Sequence, residues 1–217
     1  MITFPDVEQG SEQWFALRRG RPTASEFDKI ITPKTLKPSG QREDYALNLV
    51  GEILSPDEQE EFIGNKDTDR GIELEPLARD EFAKQTGLDV RTVGFVTRDD
   101  EVVGCSPDSL VAKDKQSDPV AGLEIKCPRS KRYLKYLLAG GLPDEHKLQV
   151  HGSMAVTGLK AWYFMAYKQG LPPYIHLVRW DETTDKISEC LDDFLIYYAE
   201  IKQQAEAKIA ALKQQMK

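Results

Sequence analysis

The stretch GLEIKCP at residues 122–128 constrains this chain more than any other. Leu123, Ile125 and Cys127 alternate with Glu124 and Lys126, the two-residue period of a half-buried strand. The apolar set faces a core, so a carboxylate and an ammonium share the opposite face. Such a strand needs a reason to hold Glu124 and Lys126 side by side.

At 217 residues and 40% hydrophobic content the chain is long enough for one large domain, expected over residues 1–217. MITFPDVEQGSEQW at the start has neither a basic n-region nor an apolar h-region, and no run approaches the ~18 apolar residues of a membrane span. A soluble, unexported protein is expected. Cys105, Cys127 and Cys190 are widely spaced, which suggests neither a disulfide framework nor a cysteine metal site. The formal charge of -7 argues against a diffuse basic coat, so a polyanion has to be met by local basic clusters. Two exist, one at Arg18, Arg19 and Arg21, the other at Arg129, Lys131 and Arg132.

Along the chain, Thr23 and Glu26 have capping-box spacing, predicting a helix from there to about Thr32. Pro33 to Gly40 reads as a loop and Arg42 to Leu54 as a second helix. An acidic run, DEQEEF, precedes a helical face marked by Leu74, Leu77, Ala78 and Phe82, with Pro76 tolerable only in a first turn. Short β-like runs between Val90 and Ala112 suggest meandering antiparallel strands; residues 113–122 read as a polar loop before the LEIKC strand. Helices are expected over about 130–139 and 144–156, the latter opened by Pro143 at its first position. Strands are expected over 160–168 and 174–180, and a C-terminal helix from about 184. The fold class is therefore α/β (α+β), with a central mixed sheet flanked by helices.

Hydrolysing a phosphodiester requires charge neutralisation at the phosphate oxygens, an activated water and a stabilised leaving oxygen, which carboxylate-held Mg²⁺ supplies. Asp108 follows Pro107 at the start of one β-like run, and Glu124 lies on another. If these strands pair, both carboxylates reach one metal. Lys126 then projects beside Glu124, where an ammonium can orient the attacking water. Of the Pro-Asp pairs at 5, 56, 107 and 143, only that at 107 is followed at suitable distance by an acid-x-Lys. The competing interpretation is an ion pair on a solvated face.

Several blocks in order then define a resemblance: W-x-x-L-R at 14–18, T-A-S-E at 23–26, G-x-x-x-E-P at 71–76, C-S-P-D-S-L at 105–110, L-E-I-K-C-P at 123–128 and Q-V-x-x-S-M at 149–154. Together they resemble the lambda-type phage exonucleases, the YqaJ-like viral recombinase or alkaline exonuclease family of the PD-(D/E)xK superfamily. The resemblance implies a restriction-endonuclease-like core. It implies Asp108, Glu124 and the Ile125 carbonyl as ligands of a pair of Mg²⁺ ions, with Mn²⁺ as a substitute. It implies Lys126 as the catalytic lysine, with Glu75 and Gln149 as further catalytic residues, and Arg18 and Ser25 as the 5'-phosphate pocket. Glu75 equally fits an exposed helix acid paired with Arg79, and Ser25 a plain capping residue.

The activity so implied is Mg²⁺-dependent 5'-to-3' digestion of one strand of linear duplex DNA to 5'-mononucleotides, leaving 3' overhangs for phage recombination. The implied partners are duplex DNA ends, further copies in a ring-shaped homotrimer and a phage single-strand annealing protein, in the cytoplasm of a bacterial host. An endonuclease or nickase of the same superfamily, or a non-catalytic DNA-binding subunit, are the alternatives. One departure stands out: His146 occupies a place where relatives often carry an aromatic.

Overall fold

A computed structural model of the chain describes residues 1–56 and 66–216. In chain order the elements are β1 (Ile2–Phe4), α1 (Glu12–Arg18), a 3-10 turn (Ala24–Lys29), α2 (Arg42–Leu54), α3 (Lys66–Thr86), β2 (Asp89–Arg91), β3 (Phe95–Thr97), β4 (Gly104–Cys105) and β5 (Ser109–Ala112). There follow β6 (Pro119–Lys126), α4 (Ser130–Ala139), a second 3-10 turn (Asp144–His146), α5 (Lys147–Thr157), β7 (Ala161–Ala166), β8 (Tyr174–Arg179) and α6 (Glu182–Gln215). The acidic run at 57–62 lies outside the described residues.

The principal sheet has the order β2-β5-β6-β7-β8, parallel only between β6 and β7; β1, β3 and β4 form a smaller antiparallel sheet. The runs between Val90 and Ala112 are therefore not a meander. β2 pairs with β5, whereas β3 and β4 pair with each other and with β1 in the other sheet. β6 also starts at Pro119, inside the segment expected to be a loop.

Having a neighbour on both edges, β6 is a central strand, and helices cover both of its faces. On one side Leu123, Ile125 and Met165 pack with Ala78 and Phe82 of α3. On the other, Tyr133 and Tyr136 of α4 cover Phe164 and Ala166, while Val150 and Met154 of α5 cover Trp162 and Val178. The half-buried strand expected from alternation is thus corrected: Glu124 is only 1% exposed. Alternation reports which residues share a face; it does not report whether a helix later covers that face. Gly122 lies on Glu124's face, where an added Cβ would come within 2.4 Å of the Trp162 ring, so a side chain there would displace the indole.

Helix α5 is enclosed on nearly all sides, with Leu148, Val150, His151, Gly152, Ser153, Met154, Val156 and Thr157 buried. A helix apolar all round belongs in an interior, and α5 separates the sheet from the main core. That core gathers Phe27, Ile30 and Ile31, then Tyr45 and Leu49 of α2, and Ile187, Leu191 and Phe194 of α6. Asp181 caps α6 by accepting from the Thr183 and Thr184 amides at 2.9 and 3.4 Å. The apolar stripe of α6 packs as far as Ala205, while Leu212 and Met216 are exposed.

Three local expectations are overturned. The capping box does not form: Thr23 makes no side-chain cap, Glu26 pairs with Lys29 at 2.7 Å, and the element is a short 3-10 turn rather than a helix to Thr32. Pro76 lies inside continuous α3 rather than in a first turn; only one helical hydrogen bond is lost there, and Ala78 and Phe82 beyond it are anchored on the sheet. Pro143 precedes the second 3-10 turn as its cap residue instead of opening a helix.

Candidate active site

The register of β5 against β6 sets the centre of the site. Ser109 is opposite Leu123, so Asp108, one step earlier, comes level with Glu124. The Ile125 amide donates to Asp108 Oδ2, tying the two strands where the carboxylates meet. Lys126, two residues from Glu124 on the same face, reaches Glu124 Oε1 at 2.5 Å. The pair that raised the question in the sequence is therefore an intrastrand ion pair with a buried carboxylate. It is not a solvated-face pair.

The electrostatics are those of crowded negative charge. Burial, then the neighbouring charge of Glu124, pushes the Asp108 carboxyl well above its usual range; Glu75 adds to the rise, while Lys126 and the Ile125 amide oppose it. Burial pulls the Lys126 ammonium down, but the charges of Glu124 and Asp108 outweigh it and hold Lys126 above an ordinary lysine. Two carboxylates share one ammonium in a desolvated place, so a hard divalent cation suits them: all their donors are oxygens, and the surplus charge is negative. Among the described residues no group of three His, Cys, Asp or Glu side chains converges. A metal here would therefore be held by Asp108, Glu124 and oxygens of another kind, of which the Ile125 carbonyl is the one expected from sequence.

Of the other expected residues, Glu75 lies close enough for its charge to act on Asp108, whereas Gln149 and Ser25 meet in a cleft whose lining does not include Asp108, Glu124 or Lys126. Glu75 on α3 is ion-paired with Arg79 one turn on, and its charge is felt by Asp108 and Cys127. Arg70 of the same helix donates to the Cys127 carbonyl at 2.8 Å, fixing the exit of β6. Gln149, half-buried, lines a cleft of about 620 Å³ together with Ser25, Asp28, Lys34, Lys147 and Leu148. Gly152 brings the cleft walls together: an added Cβ would meet the Phe27 ring at 2.5 Å, so α5 and the 3-10 turn touch only because position 152 is bare.

Arg18, at the end of α1, donates through Nη2 to Thr23 Oγ1 at 3.0 Å and Ser25 Oγ at 3.3 Å, and stacks on Trp14 at 4.3 Å. Burial draws the guanidinium below its ordinary value, against the charges of Glu26, Tyr45 and Glu52. The remaining basic residues divide. Arg21 is engaged internally with the Glu101 carbonyl at 2.7 Å and with the Leu17 carbonyl. Arg19 is half-buried at the C-cap of α1. Arg129, Lys131 and Arg132 are exposed at the start of α4, Arg132 lying 3.7 Å from Glu145.

His146 occupies an aromatic position in fact: it stacks on Phe164 at 5.2 Å and contacts Tyr136 edge-on. Burial, then the charge of Lys126, lowers it to about 4, so the ring is neutral near pH 7.

The YqaJ-like viral recombinase domain matches residues 13–160 of the chain. The chain belongs to this family. Membership supports a nuclease role in recombination. The alkaline exonuclease LHK-Exo from Laribacter hongkongensis superposes with a TM-score of 0.78 at 29% identity, over 93% of this chain and 100% of that one. The structure of LHK-Exo in complex with dAMP gives a TM-score of 0.70 at 30% identity, over 92% and 100%. A phage-related exonuclease from Haemophilus somnus shares the fold, with a TM-score of 0.59 at 18% identity over 85% and 96%. No curated protein sequence matches significantly. The mixed sheet flanked by helices is accordingly the restriction-endonuclease-like core expected from sequence. Among the described residues no helix is long and apolar enough to cross a membrane.

Reading the sequence alone missed the contacts that hold Arg18. Trp14, Thr23 and Ser106 all stand in the motifs, but the contacts that join one motif to another do not show in them. Ser106, which accepts from the Trp14 indole at 2.9 Å, is 92 residues distant, and neither motif signals that the two pair.

Proposed function

We propose that this protein is a Mg²⁺-dependent exonuclease that digests one strand of linear duplex DNA from its 5' end. It releases 5'-mononucleotides and leaves 3' overhangs for phage homologous recombination. The observation that carries the reading is the meeting of Asp108, Glu124 and Lys126 across β5 and β6, in a chain whose relatives include an alkaline exonuclease. The whole chain acts as one nuclease domain.

In this mechanism Asp108, Glu124 and the Ile125 carbonyl would hold the metal, whose chemistry when bound would be to neutralise phosphate oxygens, acidify water and stabilise the leaving oxygen. Lys126 holds the attacking water by an Nζ–H hydrogen bond and balances the charge that grows on phosphorus. Glu75 and Gln149 position water and strand from α3 and α5. Arg18 and Ser25 hold the 5'-phosphate, the guanidinium bonding in its plane while its face rests on Trp14. Polarity follows, because a pocket for a terminal phosphate serves only an enzyme that starts from an end.

Arg19, Arg21, Arg129, Lys131 and Arg132 guide the duplex in the same reading, with Arg21 acting mainly through its hold on the Glu101 loop. Local basic residues on a chain of net charge -7 suit a ring-shaped homotrimer enclosing DNA, cationic inside and anionic outside. A phage single-strand annealing protein would receive the 3' strand, in the cytoplasm of the bacterial host.

A linear duplex labelled separately at each end tests the proposal, with Mg²⁺, Mn²⁺ or EDTA. Metal-dependent release of the 5' label as mononucleotide is expected, with covalently closed circles left intact. Degradation of closed circles would instead establish an endonuclease, and 3' label released first would reverse the polarity.

A further inference from the structure

The N-terminal segment reaches the turn that carries Asp108 twice. Gln9 Nε2 donates to the Pro107 carbonyl at 3.0 Å and to the Val93 carbonyl at 3.3 Å. Trp14 Nε1 donates to Ser106 Oγ at 2.9 Å. The face of that same indole carries the Arg18 guanidinium at 4.3 Å, and Arg18 goes on to Thr23 and Ser25. One side chain therefore touches both the guanidinium of the end pocket and the residue two positions before Asp108.

We infer that Trp14 is a positioning residue that holds the end pocket and the Asp108 turn in one frame, so that a bound 5'-phosphate sets the scissile bond against the carboxylates. The inference rests on the reading of Arg18 given above. Its physical basis is the division of labour within the indole. The ring face attracts the cation and leaves the in-plane guanidinium donors free for Thr23, Ser25 and a phosphate. The ring has one donor, Nε1–H, and its bond to Ser106 fixes the ring plane relative to the neighbouring strand. Cutting that bond leaves the platform in place but lets it turn. Small displacements are expensive in such a system, since a misplacement of about 1 Å costs on the order of 10²-fold in rate.

The alternative is that Trp14 merely anchors α1, where it also packs edge-on against Phe15 at 5.0 Å. Three variants separate the two roles. Trp14→Phe keeps a ring under Arg18 and removes the N–H; Ser106→Ala removes the acceptor and keeps the indole; Trp14→Leu removes platform and bond together. First-turnover cleavage is measured on 5'-phosphorylated and 5'-hydroxyl ends, with a melting temperature for each variant.

Trp14→Phe and Ser106→Ala are each expected to slow phosphorylated ends by about tenfold to 10²-fold, with little change on hydroxyl ends, so the preference collapses. The double variant Trp14→Phe/Ser106→Ala should be no worse than either single one, because both cut one bond. Trp14→Leu should lose the preference altogether. Equal losses on both kinds of end, following the melting temperature, would make Trp14 a structural anchor and overturn the inference; additive losses in the double variant would do the same. A wild type without any preference for phosphorylated ends would bring down the reading of Arg18 itself. A wild-type preference that survives in all three variants would overturn only the role of Trp14.

Discussion

The carboxylate pair and the guanidinium pocket are held by different kinds of bond. Glu124 and Lys126 stand on β6, and Asp108 stands one residue before β5, where backbone register puts them, on a sheet enclosed by α3, α4 and α5. Arg18 and Ser25 stand on a seven-residue helix and a six-residue 3-10 turn, and side chains join them: Trp14 beneath, Thr23 beside, Ser106 behind. A ladder of main-chain bonds survives the loss of a side chain. A pocket assembled from side chains changes with every member. Chemistry should therefore be separable from folding in the first region, whereas in the second recognition should depend on the shape of each group as well as its charge.

The largest expected effect is that of Lys126→Ala. Removing the ammonium should lower cleavage by on the order of 10²–10³-fold while metal-dependent DNA binding persists. Asp108→Asn sharpens the point: it relieves a desolvated carboxylate beside Glu124, so thermal unfolding in EDTA should occur at a higher temperature than in wild type as activity disappears. A large loss of stability in Asp108→Asn would mean that the carboxylates help to build the sheet.

Arg18→Lys comes next. It retains the charge and discards the planar fork and the stack, so the preference for phosphorylated over hydroxyl ends should fall by about tenfold or more. Competition between the two kinds of end measures it. An unchanged preference would show that charge alone suffices, erasing the contrast between the regions.

Gly152→Ala addresses the foundation that both regions share. A methyl directed at the Phe27 ring of the 3-10 turn should cost about 1–3 kcal/mol in a denaturant titration and displace Ser25 from Gln149. Full stability would mean that α5 and the turn slide apart without penalty.

The smallest effect is expected of His146→Phe. Partly buried His146 is held at about 4, below its ordinary 6.5, so the unfolded chain takes up the proton first and wild type loses stability as pH falls from 6.5 toward 4. Phenylalanine keeps the stack on Phe164 and has no proton to take up. The gap in stability between variant and wild type should therefore widen in favour of the variant over that window, as followed by melting curves at successive pH values.

Much of the chain was legible because its signals are local. Arg42–Leu54 is the helix expected, residue for residue, and LEIK lies on a strand with Glu124 and Lys126 on one face. Alternation and helical spacing are properties of neighbouring residues, and side-chain geometry converts them directly into faces. Thr23 illustrates the limit. Its spacing to Glu26 satisfies the capping-box pattern, yet its hydroxyl is taken by Arg18 and Glu26 is taken by Lys29. A cap motif states what a hydroxyl can accept, and a nearby guanidinium competes for it.

By itself, then, the sequence determined the elements that local periodicity controls, the residue types of the carboxylate site and, through its ordered motifs, the family. The tertiary structure alone decided that β6 runs parallel to β7 and is covered on both faces, that Glu124 is buried, that Pro76 is carried within α3, and that Trp14 reaches Ser106. Each of these depends on partners distant in the chain, 40 residues away for Glu124 and Phe164 within one hydrogen-bonded ladder and 92 for Trp14 and Ser106. Contacts of that range depend on how whole elements pack, and the residues on either side of them in sequence carry no periodicity that reports it.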